Sequence, residues 1–113
     1  MEEIFKRLEQ FDKPRGWDTY NQATNEKEKL NFLYPQIVNL LGEFGEFANL
    51  VKKCKRDGIW EEEKLKEEVA DMFIFLIKIG RIIDMDIKKE CLKKLDINEE
   101  RFKGHIKENN KKI

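Results

Sequence analysis

The sequence contains two pairs of acidic residues that lie among large apolar side chains. The stretch LLGEFGEFANL places Glu43 and Glu46 three positions apart, and LKEEVADMFIFLIKIG does the same with Glu68 and Asp71. Residues three apart are neighbours on a helix, so each pair presents two carboxylates side by side. Burying an unpaired carboxylate costs several kcal/mol or raises its pKa. A bound cation removes this penalty, and carboxylate oxygens are ligands that Mg²⁺ and Mn²⁺ prefer.

Each acidic pair, taken alone, also has an ordinary structural explanation. The chain is rich in acids, and half-buried carboxylates of this kind can pair with cations such as Lys78 or Arg81. Two such pairs on consecutive helices, separated by 21 residues, favour a shared metal site between the two helices.

The apolar residues recur at helical spacing in four segments. We therefore predict helices over about residues 2–11, 34–56, 61–83 and 87–102. Pro35 suits the first turn of a helix, so the second helix is predicted to begin near Tyr34, with a short helical turn allowed before it. Asp86 is the predicted N-cap of the fourth helix. The segment between the first two helices contains Pro14 and Gly16 and is predicted to be a loop.

Composition indicates one all-α domain. The 113 residues are 41% charged and 40% hydrophobic, and the formal net charge is zero. We expect a domain over residues 1–113, with a core at about 27–102 and a polar tail at 103–113. The balanced charge argues against a nucleic-acid partner, and the apolar runs are too short for a membrane span. Cys54 and Cys91 are expected to be free thiols in a cytoplasmic protein.

The acidic spacing resembles the metal-binding signature of the MazG-like all-α nucleoside triphosphate pyrophosphohydrolases. GEFGEFANLVKK is similar to one motif helix of that family, and EEVADMFIFLIKI is similar to the next. The resemblance implies that Glu43, Glu46, Glu68 and Asp71 hold Mg²⁺, with Mn²⁺ as a possible substitute. It also implies hydrolysis of a (d)NTP to the monophosphate and pyrophosphate, in nucleotide-pool house-cleaning.

The fourth predicted helix resembles the substrate-binding segment of the dCTP-acting branch of the family. In KKLDINEERF the matching residues are Lys94, Asn98 and Arg101, whose spacing puts them on one helical face. Lys53 is a further candidate for phosphate oxygens, and Trp17 resembles a tryptophan that stacks on the base. A pyrimidine substrate such as dCTP is therefore a possibility. Phe75 departs from this branch, which has a tyrosine at that place.

The resemblance also implies a four-to-five-helix bundle assembled as a homodimer or as a dimer of dimers, with sites across the subunit interface. The apolar run MFIFLIKIGRII supports such assembly, because a lone chain of this length cannot cover all its apolar helix faces. Two alternatives remain open. One is a phosphoribosyl-ATP pyrophosphohydrolase, and the other is a non-catalytic helical interaction module whose acids pair with the cations of a partner.

Overall fold

The computed structural model describes residues 1–106. Their regular secondary structure consists of helices, with no strand. The four α-helices are α1 (Glu2–Asp12), α2 (Glu26–Asp57), α3 (Glu62–Ile82) and α4 (Ile87–Arg101). Short 3-10 helices occupy Lys13–Arg15, Thr19–Gln22 and Lys103–His105. The predicted all-α class is confirmed. Residues 107–113, most of the predicted polar tail, lie outside the described residues.

Helix α2 begins eight residues earlier than predicted, at Glu26 rather than near Tyr34. The Asn25 side chain accepts a hydrogen bond from the Glu28 backbone N–H at 2.9 Å, and the Glu28 carboxylate accepts one from the Thr24 N–H at 2.8 Å. These bonds form a variant of the capping box, in which the Glu28 carboxylate reaches the residue before the cap, and they stabilise the first turn. Pro35 therefore lies inside the helix, and the prediction from proline preference was wrong because the cap upstream determines the start.

The remaining helix ends agree with the sequence signals. Gly58 ends α2 in the left-handed region, with φ of 66°, where a glycine carries no steric penalty. Asp86 caps α4 by accepting a hydrogen bond from the Lys89 backbone N–H at 3.1 Å. The turn before it contains Asp84 at φ of 54°, a left-handed conformation that aspartate tolerates better than most residues.

Helices α2 and α3 make the main tertiary contact of the chain. Only a short connection joins them, so they pack as an antiparallel hairpin. Helix α1 is held against the second half of α3 by two positively charged side chains of α3. The Lys78 ammonium lies 3.3 Å from the Asp12 carboxylate, and the Arg81 guanidinium donates to the Phe5 carbonyl at 2.9 Å.

The buried core is small and lies where the N-terminal segment meets α3. Its most buried apolar side chains are those of Leu8, Tyr20, Ile77 and Ile82. Many large apolar side chains on α2, α3 and α4 are exposed instead, among them Leu41, Phe44, Val51, Val69, Leu76, Leu92 and Leu95. No helix within residues 1–106 combines the length and the apolar character that crossing a bilayer requires.

Candidate active site

Three of the four predicted metal ligands come together between α2 and α3. One carboxylate oxygen from each of Glu43, Glu68 and Asp71 lies within 4.8 Å of the other two. Glu43 is near the middle of α2, and Glu68 and Asp71 are one turn apart on α3. The antiparallel packing of the two helices brings these positions to the same level. Glu43 and Glu68 are half-buried, whereas Asp71 is exposed.

The cluster is electrostatically unfavourable without a cation. Lost solvation raises the pKa of Glu43, and the negative charges of Glu46, Asp71 and Glu68 raise it further. The Glu68 Oε2 atom is buried and has no hydrogen-bond partner among the described residues. A buried carboxylate oxygen without a donor is rare in proteins and calls for an explanation such as an ion. Neither Lys78 nor Arg81 pairs with these acids within residues 1–106, so the ion-pair alternative is not observed.

The donor atoms fit a small divalent cation. All three are carboxylate oxygens, the ligand class that Mg²⁺ and Mn²⁺ prefer over nitrogen or sulfur. Oxygens bound to one Mg²⁺ at about 2.1 Å lie at most about 4.2 Å apart. The bound of 4.8 Å between the oxygens of the cluster exceeds this limit, so the glutamate side chains would have to rotate inward to bind one ion together.

Glu46 lies beside the cluster and not in it. It is one turn beyond Glu43 on α2 and is exposed, and its oxygens are not among the three that converge. Its negative charge nevertheless contributes to the raised pKa of Glu43, so the two carboxylates are close enough to interact.

The predicted phosphate-binding residues are not next to the cluster within one chain. Lys94, Asn98 and Arg101 share a face of α4, as their spacing predicts, but α4 packs little against the α2–α3 pair. No hydrogen bond or ion pair links these three residues to the acids in the described part of the chain. Lys53 is exposed near the end of α2, where a hydrogen bond from Arg56 lowers the pKa of Asp57 and the charge of Lys53 lowers it further.

Trp17 borders a cleft that adjoins the acidic cluster along the α2–α3 pair. The cleft has a volume of about 430 Å³, within the range of small-molecule sites. Its aromatic walls come from Trp17, Tyr20, Phe32 and Phe75, and its polar groups from Gln36, Asn39 and Lys78. Asn39 precedes Glu43 by one turn and Phe75 follows Asp71 by one turn, so the cleft and the cluster share the same helical surface.

The sequence reasoning missed Gln36, Asn39 and Lys78 as lining residues. Gln36 and Asn39 lie seven and four positions before Glu43, so helical spacing alone placed them on the face of the acids. Lys78 lies seven positions after Asp71, so the same spacing places it on the face of the acids of α3. The lining residues of the N-terminal segment, Trp17 and Tyr20, had no such signal. Their position depends on how that segment folds back onto α3.

Comparison with known proteins finds curated relatives of one kind. The chain is 29% identical to dCTP pyrophosphatase 1 of Homo sapiens over 114 residues, which cover 94% of this chain and 61% of that protein. The protein of the same name from Bos taurus is 27% identical over 113 residues, with the same coverage. The resemblance predicted from the acidic motifs is confirmed. The chain spans 61% of the length of these relatives. No family model and no solved structure matches it.

Proposed function

We propose that this protein is a Mg²⁺-dependent nucleoside triphosphate pyrophosphohydrolase, with a pyrimidine deoxynucleotide such as dCTP as substrate. The observation that carries the proposal is the convergence of the Glu43, Glu68 and Asp71 oxygens within 4.8 Å of one another. The similarity to dCTP pyrophosphatases supports the reaction type. The proposed role of the protein is nucleotide-pool house-cleaning in the cytoplasm.

In this proposal Glu43, Glu68 and Asp71 hold the metal, and Glu46 completes the set of carboxylates. Mn²⁺ is an acceptable substitute, because it takes the same oxygen donors. A bound cation would supply the positive charge that phosphoryl transfer requires. Water is the attacking group, so no side-chain nucleophile is needed. Water attacks the α-phosphorus, and the bond from that phosphorus to the bridging oxygen breaks, which releases the monophosphate and pyrophosphate. A carboxylate of the cluster orients the water and accepts its proton.

The base is proposed to occupy the cleft beside the cluster, stacked on Trp17. The Trp17 side chain is 55% exposed, which leaves its ring available to a ligand. Helical geometry supports this arrangement, because Gln36 and Lys78 lie two turns, about 10 Å, from Glu43 and Asp71 along the helix axes. A nucleoside spans a separation of this kind, with the phosphates at the carboxylates and the base in the cleft.

Lys94, Asn98, Arg101 and Lys53 are proposed to bind the phosphates in an assembled homodimer or homotetramer. Because α4 packs little on the helices of its own chain, its residues Lys94, Asn98 and Arg101 would serve a site shared with a second subunit. The exposed area supports assembly. Large apolar side chains of α2 and α3 are exposed, among them Phe44, Val51 and Leu76. Extended apolar surface of this kind is typical of an interface.

The test is direct product analysis. The purified protein is incubated with Mg²⁺ and a panel of canonical NTPs and dNTPs, and the products are separated by ion-exchange chromatography. We expect monophosphate and pyrophosphate, with strong loss in Glu68→Gln and Glu46→Gln. Glu67→Gln is the matched control, because Glu67 is an exposed neighbour on the same helix. Diphosphate and phosphate as products would contradict the assigned bond. Absence of turnover in the wild type would refute the proposal.

A further inference from the structure

The cleft contains a lysine in an unusual setting. The Lys78 ammonium lies 5.8 Å from the centre of the Trp17 ring and 5.9 Å from that of Phe75. The Lys78 side chain is only 12% exposed, and its partner Asp12 is 1% exposed. Lysines and aspartates are seldom buried to this degree unless they are paired. The pair therefore holds a cation in place at the wall of an aromatic cleft.

The pairing makes Lys78 a poor phosphate ligand and a suitable ligand for a neutral group. The Asp12 carboxylate, 3.3 Å away, cancels most of the positive charge that a phosphate would sense. An ammonium group has three N–H donors, and one carboxylate does not use them all. The position also argues against phosphate, since Lys78 is two turns from the acidic cluster at which the triphosphate is proposed to bind.

The cleft also contains a polar group that, unlike Lys78, has no partner among the described residues. The Gln36 Oε1 atom is buried and accepts no hydrogen bond from the described part of the chain. Gln36 and Lys78 lie at the same level of the antiparallel pair, and both line the cleft. Together they provide an acceptor and a charged donor beside aromatic walls. Such a set is complementary to the edge of cytosine, which carries a carbonyl oxygen and an amino donor on either side of the ring nitrogen N3.

We infer that Lys78, positioned by Asp12, is a specificity-determining residue that donates a hydrogen bond to a pyrimidine carbonyl in this cleft. The inference rests on the proposed pyrophosphohydrolase function and adds to it the residue that selects the base. Adenine is the informative comparison, because it has N–H donors but no carbonyl oxygen. A site built for a hydrogen bond rejects analogues that cannot make it.

The test compares kcat/KM for dCTP and dATP in the wild type and in the double variant Asp12→Asn/Lys78→Met. The double variant removes both charges together, which avoids leaving a buried charge unpaired. We expect the wild type to prefer dCTP, and the variant to reduce the dCTP/dATP ratio about tenfold, the value of one charged hydrogen bond. The size of the ring affects both proteins equally, so the change in ratio reports on the hydrogen bond.

Two further variants separate base reading from structural support. Lys64→Met is the matched control, since Lys64 is exposed on the same helix, and it should leave the ratio unchanged. Asp12→Asn alone keeps the ammonium but removes the carboxylate that positions it, so it should lower the ratio by less than the double variant does. An unchanged ratio in the double variant would overturn the inference while leaving the proposed function intact. Equal loss of the ratio in Asp12→Asn would assign the effect to docking of α1 and would also overturn it. A wild type that hydrolyses no nucleotide would refute both.

Discussion

Glu68→Gln tests whether the carboxylate cluster exists to bind a metal. At a Mg²⁺ concentration ten times the dissociation constant, binding to the folded state stabilises it by about 1.4 kcal/mol. A chain of 113 residues has an unfolding entropy of roughly 240 cal/mol/K near its melting temperature. The wild type should therefore melt about 6 °C higher in Mg²⁺ than in a chelator at fixed protein concentration.

The variant should lose this shift for a reason that is visible in the structure. Glu68 supplies one of the three converging oxygens, and its other oxygen is buried without a donor. Loss of a group that merely supports a ligand weakens metal binding about 10- to 100-fold, and loss of a ligand should cost at least as much. A hundredfold loss reduces the Mg²⁺ shift to less than about 1 °C.

The same substitution gives a second, independent readout. Without metal, Glu68→Gln should melt no lower than the wild type, because it removes the negative charge of a half-buried carboxylate and its repulsion with two neighbouring carboxylates. Scanning calorimetry or fluorescence melting measures both effects, with Glu67→Gln as the control that should behave like the wild type. An equal Mg²⁺ shift in Glu68→Gln and wild type, or a large loss of metal-free stability, would refute the reasoning.

Three further predictions concern the pKa of Glu43, the cap of α2 and the assembly of the chain. The raised pKa of Glu43 means that the folded chain holds this proton more tightly, so its contribution to metal-free stability is complete below about pH 4.3 and is lost as pH rises through the raised pKa. Urea unfolding at several pH values should show this decline, and Glu43→Gln should remove it. Asn25→Ala should lower the free energy of unfolding by about 1 kcal/mol through loss of the α2 cap, whereas Asn31→Ala should not, and an equal effect of both would contradict the cap. Light scattering should give at least twice the chain mass of 13.6 kDa, and a monomer at micromolar concentration would count against assembly.

The helices and most of their ends could be predicted from the sequence because they depend on local signals. Periodic apolar residues defined α3 and α4, Gly58 marked the end of α2, and Asp86 marked the start of α4. The start of α2 was missed because two local signals compete there. The capping box around Asn25 stabilises the first turn, and the helix continues through Pro35 at the loss of one hydrogen bond.

The acidic site was partly predictable for a similar reason. Spacing alone put Glu43 and Glu46 side by side, and likewise Glu68 and Asp71, since neighbours on a helix are fixed by its pitch. It did not say which oxygens would converge. The packing of α2 on α3 brings Glu43 to the α3 pair and leaves Glu46 one turn away.

The sequence by itself thus determined the helices, the acidic pairs and the alignment of Gln36 and Asn39 with Glu43, all of which follow from the 3.6-residue period. Only the tertiary structure decided that Asp12 meets Lys78 and that Trp17 and Phe75 border one cleft. Those contacts join residues far apart in the chain through the folding back of the N-terminal segment. No local period encodes such a contact, because it depends on how whole elements pack.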